Sequence, residues 1–349
     1  MNKPYLKPVN HRSAWQGCEI PCLDQFSFAL QDKHLLALDQ ALKSVRASGL
    51  DLNSVEKADF DLTKIETDIR QIEHEILHGS GVVIIRGFPV NEYSLEDVEI
   101  LYWGLGTYLG IGESQSKMGD RLGHVEDVSG KDSNERAYRN SVGIMLHTDL
   151  SDIVGMLSIR QARDGGISTY VSAPAIHNKI LATRPELLTP LYRGFRYHLF
   201  GEQPPGEPPI TAHEIPVLSQ KDGFVSARYI PEYITRGLTE SGESLPELDL
   251  EAFNYFNELA IDKELRWDVM LQPGDLSFIN NYTVLHTRDA FFDGEEPHEK
   301  RLLLRLWLTS NYKRPVVDNL GLYTNSQGIA SQQASDTYLA PSVVIPDSQ

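Results

Sequence analysis

Cysteine is nearly absent: Cys18 and Cys22 are the two thiols in a chain of 349 residues. So few exclude a disulfide-built scaffold, and a Cys-xxx-Cys pair without companions makes a poor metal site. Both read as ordinary thiols of a reducing cytosol. No apolar run reaches the roughly 18 residues that a membrane-crossing helix needs. The segment Met1 to Lys7 has no signal-peptide-like apolar stretch, which predicts a cytoplasmic protein with no membrane partner. Positive charge is also short: 32 Lys and Arg stand against 49 Asp and Glu, a net charge of −17. Phosphate backbones attract basic surfaces, so a nucleic-acid partner is excluded. Repeats, low-complexity tracts and linkers are missing. The stretch Gln203-Pro204-Pro205-Gly206-Glu207-Pro208-Pro209 is too short for a linker and reads as a rigid loop.

What the chain does have is a set of metal-ligand residue types in a telling pattern. In an extended segment, residues i and i+2 point to one side. His147 and Asp149 therefore project together, with Thr148 turned away. Val142 to Leu146 reads as a strand before them and Ile153 to Ile159 as another after them. A lone His-x-Asp is a weak signal in a chain with 11 histidines. Its plain reading is a histidine at a strand end bonded to its neighbour. A second histidine, His286, ends the extended run after Asn280-Asn281-Tyr282-Thr283-Val284-Leu285. Two imidazoles and one carboxylate make the ligand set of a mononuclear non-haem Fe(II) site with open positions. Beyond His286 lies Arg301-Leu302-Leu303-Leu304-Arg305. In a strand, Arg301 and Arg305 share a face, and charge buried there is costly unless paired. Carboxylates of the chain are one partner for them; an anionic ligand gripped by the fork of Arg305 is the other.

These pieces, in this order, resemble the TauD/TfdA (taurine dioxygenase-like) family of Fe(II)/2-oxoglutarate-dependent dioxygenases. Gly81-Val82-Val83-Ile84-Ile85-Arg86-Gly87-Phe88 resembles the first core strand and its Arg-Gly exit. His147-Thr148-Asp149 and His286 resemble the metal ligands, and Arg301 and Arg305 the two arginines that follow. Gly165-Gly166-Ile167-Ser168-Thr169 resembles the Gly-Gly-x-Thr/Ser segment whose hydroxyl touches the co-substrate. Ser168 holds that place by register, with Thr169 beside it. The match runs from about residue 75 to about 312.

The resemblance implies a mainly β fold with added helices (α+β), a double-stranded β-helix or jelly roll of the clavaminate synthase-like kind. It implies one domain over 1–349. An N-terminal helical extension would reach about 78, and a core would span about 79–312 with an insert near 174–270. A tail would run over about 313–349. The sequence supports this with apolar residues at three- and four-residue steps over Lys33 to Ala47 and Lys64 to Leu77. A capping-box-like start at Ser94-xx-Asp97 opens another helix. Pro174 opens one running toward Leu188, and Asp249 to Glu264 forms the last.

The activity implied is an oxidoreductase that takes Fe(II), 2-oxoglutarate and O2. It would hydroxylate an unactivated C–H bond of a small molecule with release of succinate and CO2. Arg305 would anchor the far carboxylate of the co-substrate, helped by Ser168 or Thr169 and by Arg301. Asp149 stands where related halogenases carry a small residue, so halogenation is disfavoured. Desaturation and oxidative cyclisation remain open. Gln115, Lys117, Arg121, Tyr138, Arg139 and Arg288 are the candidate substrate contacts. Cations among them point to an amino acid, a related acid or a natural-product intermediate of secondary metabolism. A Zn-dependent hydrolase would use the same ligands but leave the arginines without a role. A non-catalytic jelly-roll binding protein would have lost a ligand, and none is lost. No stretch marks an interface for a homo-oligomer, and the acidic surface does not forbid one.

Overall fold

The computed structural model describes residues 2–128, 141–203, 206–322 and 328–331. Its strands, in chain order, are β1 (Ser27–Ala29), β2 (Val82–Arg86), β3 (Gly110–Gly112), β4 (Leu122–Val125), β5 (Ile153–Arg160), β6 (Asp164–Gly165) and β7 (Ser168–Ser172). There follow β8 (Leu218–Lys221), β9 (Phe224–Ala227), β10 (Arg266–Val269), β11 (Leu276–Asn280), β12 (Val284–Arg288), β13 (Phe291–Phe292) and β14 (Leu302–Ser310). The helices are α1 (Asp32–Ser48), α2 (Glu66–His78), α3 (Leu95–Gly106), α4 (Ala173–Thr183), α5 (Leu188–Arg193), α6 (Pro231–Ser241) and α7 (Glu247–Ala260).

Two sheets face each other. The larger has the order β1-β2-β11-β5-β14-β3, with β4 also on β14; the smaller is β10-β7-β12. Only β1 joins its neighbour in parallel within these sheets. Strand alternation sorts the core into layers. Val82, Ile84, Val154, Ile279, Leu303 and Trp307 face inward and meet Tyr170, Trp267 and Val284 of the small sheet. The alternate residues Val83, Ile85, Leu157, Phe278, Leu304 and Leu306 face outward and pack on α1 to α3. Val171 and Leu285, on the outer face of the small sheet, pack beneath the insert helices α4 to α7. Both sheets are thus buried on two faces, so their strands read as nearly continuous apolar runs.

The helix signals have clear local causes. Ala37, Leu38, Ala41, Leu42 and Val45 place one stripe of α1 in the core, and Gly49 ends the helix in the left-handed region at φ 69°. Ser94 accepts from the Asp97 N–H to start α3, and Ser172 accepts from the Ala175 N–H to start α4. The helix expected to run on to Leu188 stops at Thr183. Pro185 follows, and the residue before a proline is pushed out of the helical region. The chain then re-forms as a 3-10 turn and α5. The expected insert of 174–270 contains one core strand, β10, which pairs with β7.

Val142 to Leu146 is not a strand. The Ile144 N–H donates to the Arg288 carbonyl, and His147 and His286 exchange both backbone bonds at 3.1 and 2.9 Å. Three steps on one chain thus oppose two on the other, the mark of a bulge, and the ladder is reduced to a single bridge. The proline-rich loop begins at the buried Gln203, while Pro204 and Pro205 lie outside the described residues. Cys18 and Cys22 are free and exposed. Among the described residues no helix is long and apolar enough to cross a membrane.

Candidate metal centre

The bulge delivers His147 to the face of β12. Asp149, two residues on, follows to the same side, while Thr148 is fully buried the other way and takes the Tyr229 carbonyl with its N–H. His286 sits mid-strand in β12, opposite Tyr170 of β7. The ligand atoms of His147, Asp149 and His286 lie within 4.8 Å of one another. His286 Nε2 is 3.3 Å and His147 Nε2 is 3.7 Å from the Asp149 carboxylate. The His147 ring donates through Nδ1 to the Met145 carbonyl at 2.8 Å, which fixes the tautomer and leaves Nε2 with its lone pair toward the shared space. Burial pushes the His147 imidazole down to about 4, with the neighbouring His286 acting the same way and Asp149 opposing. It is therefore neutral at neutral pH, the form that binds metal.

Asp149 is held from several sides. Burial alone would raise its pKa, but the hydrogen bond with His286 and the charge of Arg305 overcome that and keep it ionised. The Trp307 indole N–H donates to Oδ2 at 2.9 Å. Asn281, fully buried, brackets the Asp149 backbone: its Oδ1 accepts from the Asp149 N–H and its Nδ2 donates to the carbonyl, both at 2.8 Å. Arg228 donates to that same carbonyl. Neither Asn281, Trp307 nor Arg228 was among the residues singled out from sequence. The run Asn280-Asn281 at a strand end was the available signal.

A pocket beside the triad is lined by Ser168, Met156, Arg288, Arg301 and Arg305 among others. Here the arginines part company. Arg305 donates through Nε to Gln115 Oε1 at 2.6 Å, lies 4.0 Å from Asp149 Oδ1 and stacks 4.8 Å from the Trp307 ring. Arg301 is 3 % exposed, and its Nη1 has no hydrogen-bond partner among the described residues. Burial pushes Arg301 down to about 9, with Arg288 adding repulsion and Asp293 opposing. An arginine keeps its proton in a folded protein, so this direction marks positive charge awaiting an anion. Gly166 makes room for it: a Cβ there would come 3.1 Å from Arg301 Nε. Arg288 lies opposite Ser168 in the β12–β7 ladder, and Arg288 and Arg301 both lie against the Phe291 ring, at 4.6 and 5.0 Å.

Strand alternation separates the two adjacent hydroxyls. Ser168 lines the pocket, whereas Thr169 points away and donates to Asp268 Oδ1 at 2.6 Å. Arg305 is engaged at the metal end, and Arg301, with Ser168 and Arg288, forms the cationic end. Gln115 is buried beneath Arg305 rather than in the lining: it also donates to the Arg305 and Arg121 carbonyls, both at 2.8 Å. Lys117 and Arg121 do not line the pocket. Tyr138 and Arg139 lie outside the described residues.

A family model described as taurine catabolism dioxygenase TauD, TfdA family matches residues 45–307. FR-33289 synthase of Streptomyces rubellomurinus is 29% identical over 86% of this chain and 90% of its own length. Taurine hydroxylase-like protein SAT17 of Stachybotrys chartarum is 25% identical over 85% of this chain and 79% of its own. An asparagine oxygenase solved with Fe(II), 3-hydroxyasparagine and succinate shares the fold at a TM-score of 0.64. Its identity is 15%, and the match covers 81% of this chain and 93% of that one. The non-heme iron oxygenase OrfP with Fe and alpha-ketoglutaric acid matches at 0.59 and 15%, over 82% and 94%.

Proposed function

This chain belongs to the TauD, TfdA family, and on that premise we propose that it hydroxylates an unactivated C–H bond of a small polar acid. It is a non-haem iron dioxygenase that uses Fe(II) and 2-oxoglutarate. The observation that carries the reading is the cluster of His147, Asp149 and His286 beside a pocket lined by Arg301, whose Nη1 has no hydrogen-bond partner among the described residues. The donor set fits the metal: two imidazoles and an ionised carboxylate are the ligand types of a non-haem iron site that keeps positions open. The arginine fits a dicarboxylic co-substrate, because a buried guanidinium lacking a partner is completed by a carboxylate.

When bound, the metal and the 2-oxo acid activate O2 and supply the oxidant that breaks the C–H bond. The residues of the chain do the rest. His147, Asp149 and His286 would hold the metal. Trp307 and Asn281 fix the carboxylate so that it does not swing. Arg301, aided by Ser168 and Arg288, grips the far carboxylate of the co-substrate and sets its reach to the metal. Arg305, clamped by Gln115, stands at the metal end beside Asp149 and holds its charge against that carboxylate. Val125, Ile144, Val154 and Ile279 wall the pocket and exclude water.

Hydroxylation is favoured over desaturation or ring closure because solved neighbours of this fold hold hydroxylated amino acids, 3-hydroxyasparagine in one and (3S)-hydroxy-L-Arg in another. The test is anaerobic. Fe(II) followed by 2-oxoglutarate should give a weak visible charge-transfer band that His286→Ala abolishes. Iron binding without that band would overturn the co-substrate assignment.

A further inference from the structure

Beside Asp149 lies a second cavity of about 290 Å3, against about 50 Å3 in the pocket over the metal ligands. Three links tie it to the metal site. Leu150, the next residue after Asp149, forms part of its wall. Arg228, also on the wall, donates to the Asp149 carbonyl. Glu113, on the wall as well, donates its backbone N–H to the Trp307 carbonyl at 2.8 Å, and the Trp307 indole holds the Asp149 carboxylate. Val317 and Leu320, beyond β14, line the space, and the Ile329 N–H donates to the Ser114 carbonyl at 3.0 Å, next to Glu113 in the chain.

Three charged side chains line this cavity. Asp318 is exposed and paired with Lys221 at 3.2 Å, whereas Glu113 is 7 % and Arg228 4 % exposed. No ion pair joins the latter two among the described residues. Thr309 donates to one Glu113 oxygen, but among the described residues Glu113 Oε2 has no hydrogen-bond partner, and neither has Arg228 Nε. Burial pushes Glu113 up to about 7; the Thr309 bond and Arg228 oppose, and Asp152 acts with burial. Buried groups left without partners are costly. Two opposite charges in one cavity that do not meet each other are completed by a ligand that carries both signs. A volume near the low end for small-molecule sites fits a ligand of amino-acid size.

We propose that Glu113 and Arg228 form the seat for the charged end of the substrate, a small zwitterion whose ammonium meets Glu113 and whose acidic group meets Arg228. The uncharged part then runs along Leu150 toward the metal ligands. This rests on the oxygenase reading above and narrows it. An acid without an amine would leave Glu113 unmet, and a simple amine would leave Arg228 unmet.

The experiment uses the full chain, first without metal and then loaded anaerobically with Fe(II) and 2-oxoglutarate. The probes are small amino carboxylates and amino sulfonates, their N-acetyl forms, and the matching amine-free acids. Binding is read as a thermal shift in the apo protein and as perturbation of the visible band in the loaded one. The expected result is that zwitterions bind and the other two classes bind at least tenfold more weakly. Glu113→Gln should weaken the best zwitterion tenfold or more while leaving the amine-free acid unchanged. Glu113→Asp, which keeps the charge but withdraws it by one carbon, should fall between, and it stands in should Glu113→Gln fail to fold. The proposal is overturned if no zwitterion binds, if N-acetyl forms bind equally well, or if Glu113→Gln changes nothing. A wild-type protein that shifts with zwitterions yet shows no band fails the oxygenase reading instead, so the two failures are separable.

Discussion

Trp307→Phe isolates one hydrogen bond to the proposed metal ligand. The indole N–H donates to Asp149 Oδ2 at 2.9 Å, and both residues are buried. Phenylalanine keeps a ring beneath Arg305 but removes the donor. A hydrogen bond to a charged acceptor contributes about 1.5–3 kcal/mol. At about 1.4 kcal/mol per tenfold, the Fe(II) dissociation constant should rise roughly 10- to 100-fold, the range expected when a partner of a metal ligand is lost. Asp149 stays in place, since Asn281 still brackets its backbone, so the loss should be graded rather than total. The assay is anaerobic calorimetric titration with Fe(II). Urea unfolding of the apo protein measures the accompanying loss of packing separately. An Fe(II) affinity within twofold of wild type, in a variant that has lost stability, would refute the assignment of Asp149 as a ligand oriented by Trp307.

Arg301→Met should raise KM for 2-oxoglutarate tenfold or more while leaving the apo protein as stable or more stable in urea, because an uncompensated buried charge is removed. Arg305→Met should shift that KM less, and the reverse ranking would restore Arg305 as the anchor. Ser168→Ala should weaken co-substrate binding several-fold. Thr169→Ala should leave it unchanged and lower stability by about 1 kcal/mol through the lost bond to Asp268; steady-state kinetics paired with urea curves separate the two. The Glu113 carboxyl is raised from 4.5 to about 7, so in the ligand-free protein the folded state holds its proton between those values and the unfolded state does not. Stability from this group is therefore full below pH 4.5 and lost as pH rises through about 7, by roughly 3 kcal/mol from the pKa difference. Asp152, Arg228 and Lys313 are the charges acting on it. Glu113→Gln should accordingly stabilise the protein at pH 8 and do little at pH 4; equal effects at both would refute this.

The clustering of His147, Asp149 and His286 was legible because it depends on short-range geometry, an i, i+2 step and a histidine within an extended apolar run. The helices were legible for the same reason, through the apolar stripes of α1 and α2 and the serine caps of α3 and α4. What was not legible depends on partners distant in sequence. Arg301 and Arg305 look alike along the chain; only folding brings Gln115 to one and leaves Nη1 of the other without a hydrogen-bond partner among the described residues. The strand expected at Val142 to Leu146 has the right residues, but pairing across a bulge cannot be read from one side of a ladder. Ser168 and Thr169 are adjacent hydroxyls, and Asp268, which occupies one of them, arrives on β10 from beyond the insert. Glu113 and Arg228 gave no motif at all, since each is a lone charge until the fold sets both beside one cavity.

The reciprocal backbone bonds between His147 and His286 also bear on how the protein is made. Two proposed ligands of one ion are each other's main-chain partners, across the whole insert, at a bridge that continues into no regular ladder among the described residues. A nascent or truncated chain lacking β12 has neither the second imidazole nor the clasp that aims the first. Iron capture should therefore coincide with the last long-range closure rather than precede it. Free iron, by binding the closed state alone, would draw the equilibrium toward it by mass action. Cells short of iron should then hold this protein in a looser, more protease-sensitive form, its turnover set by metal supply as much as by its own sequence.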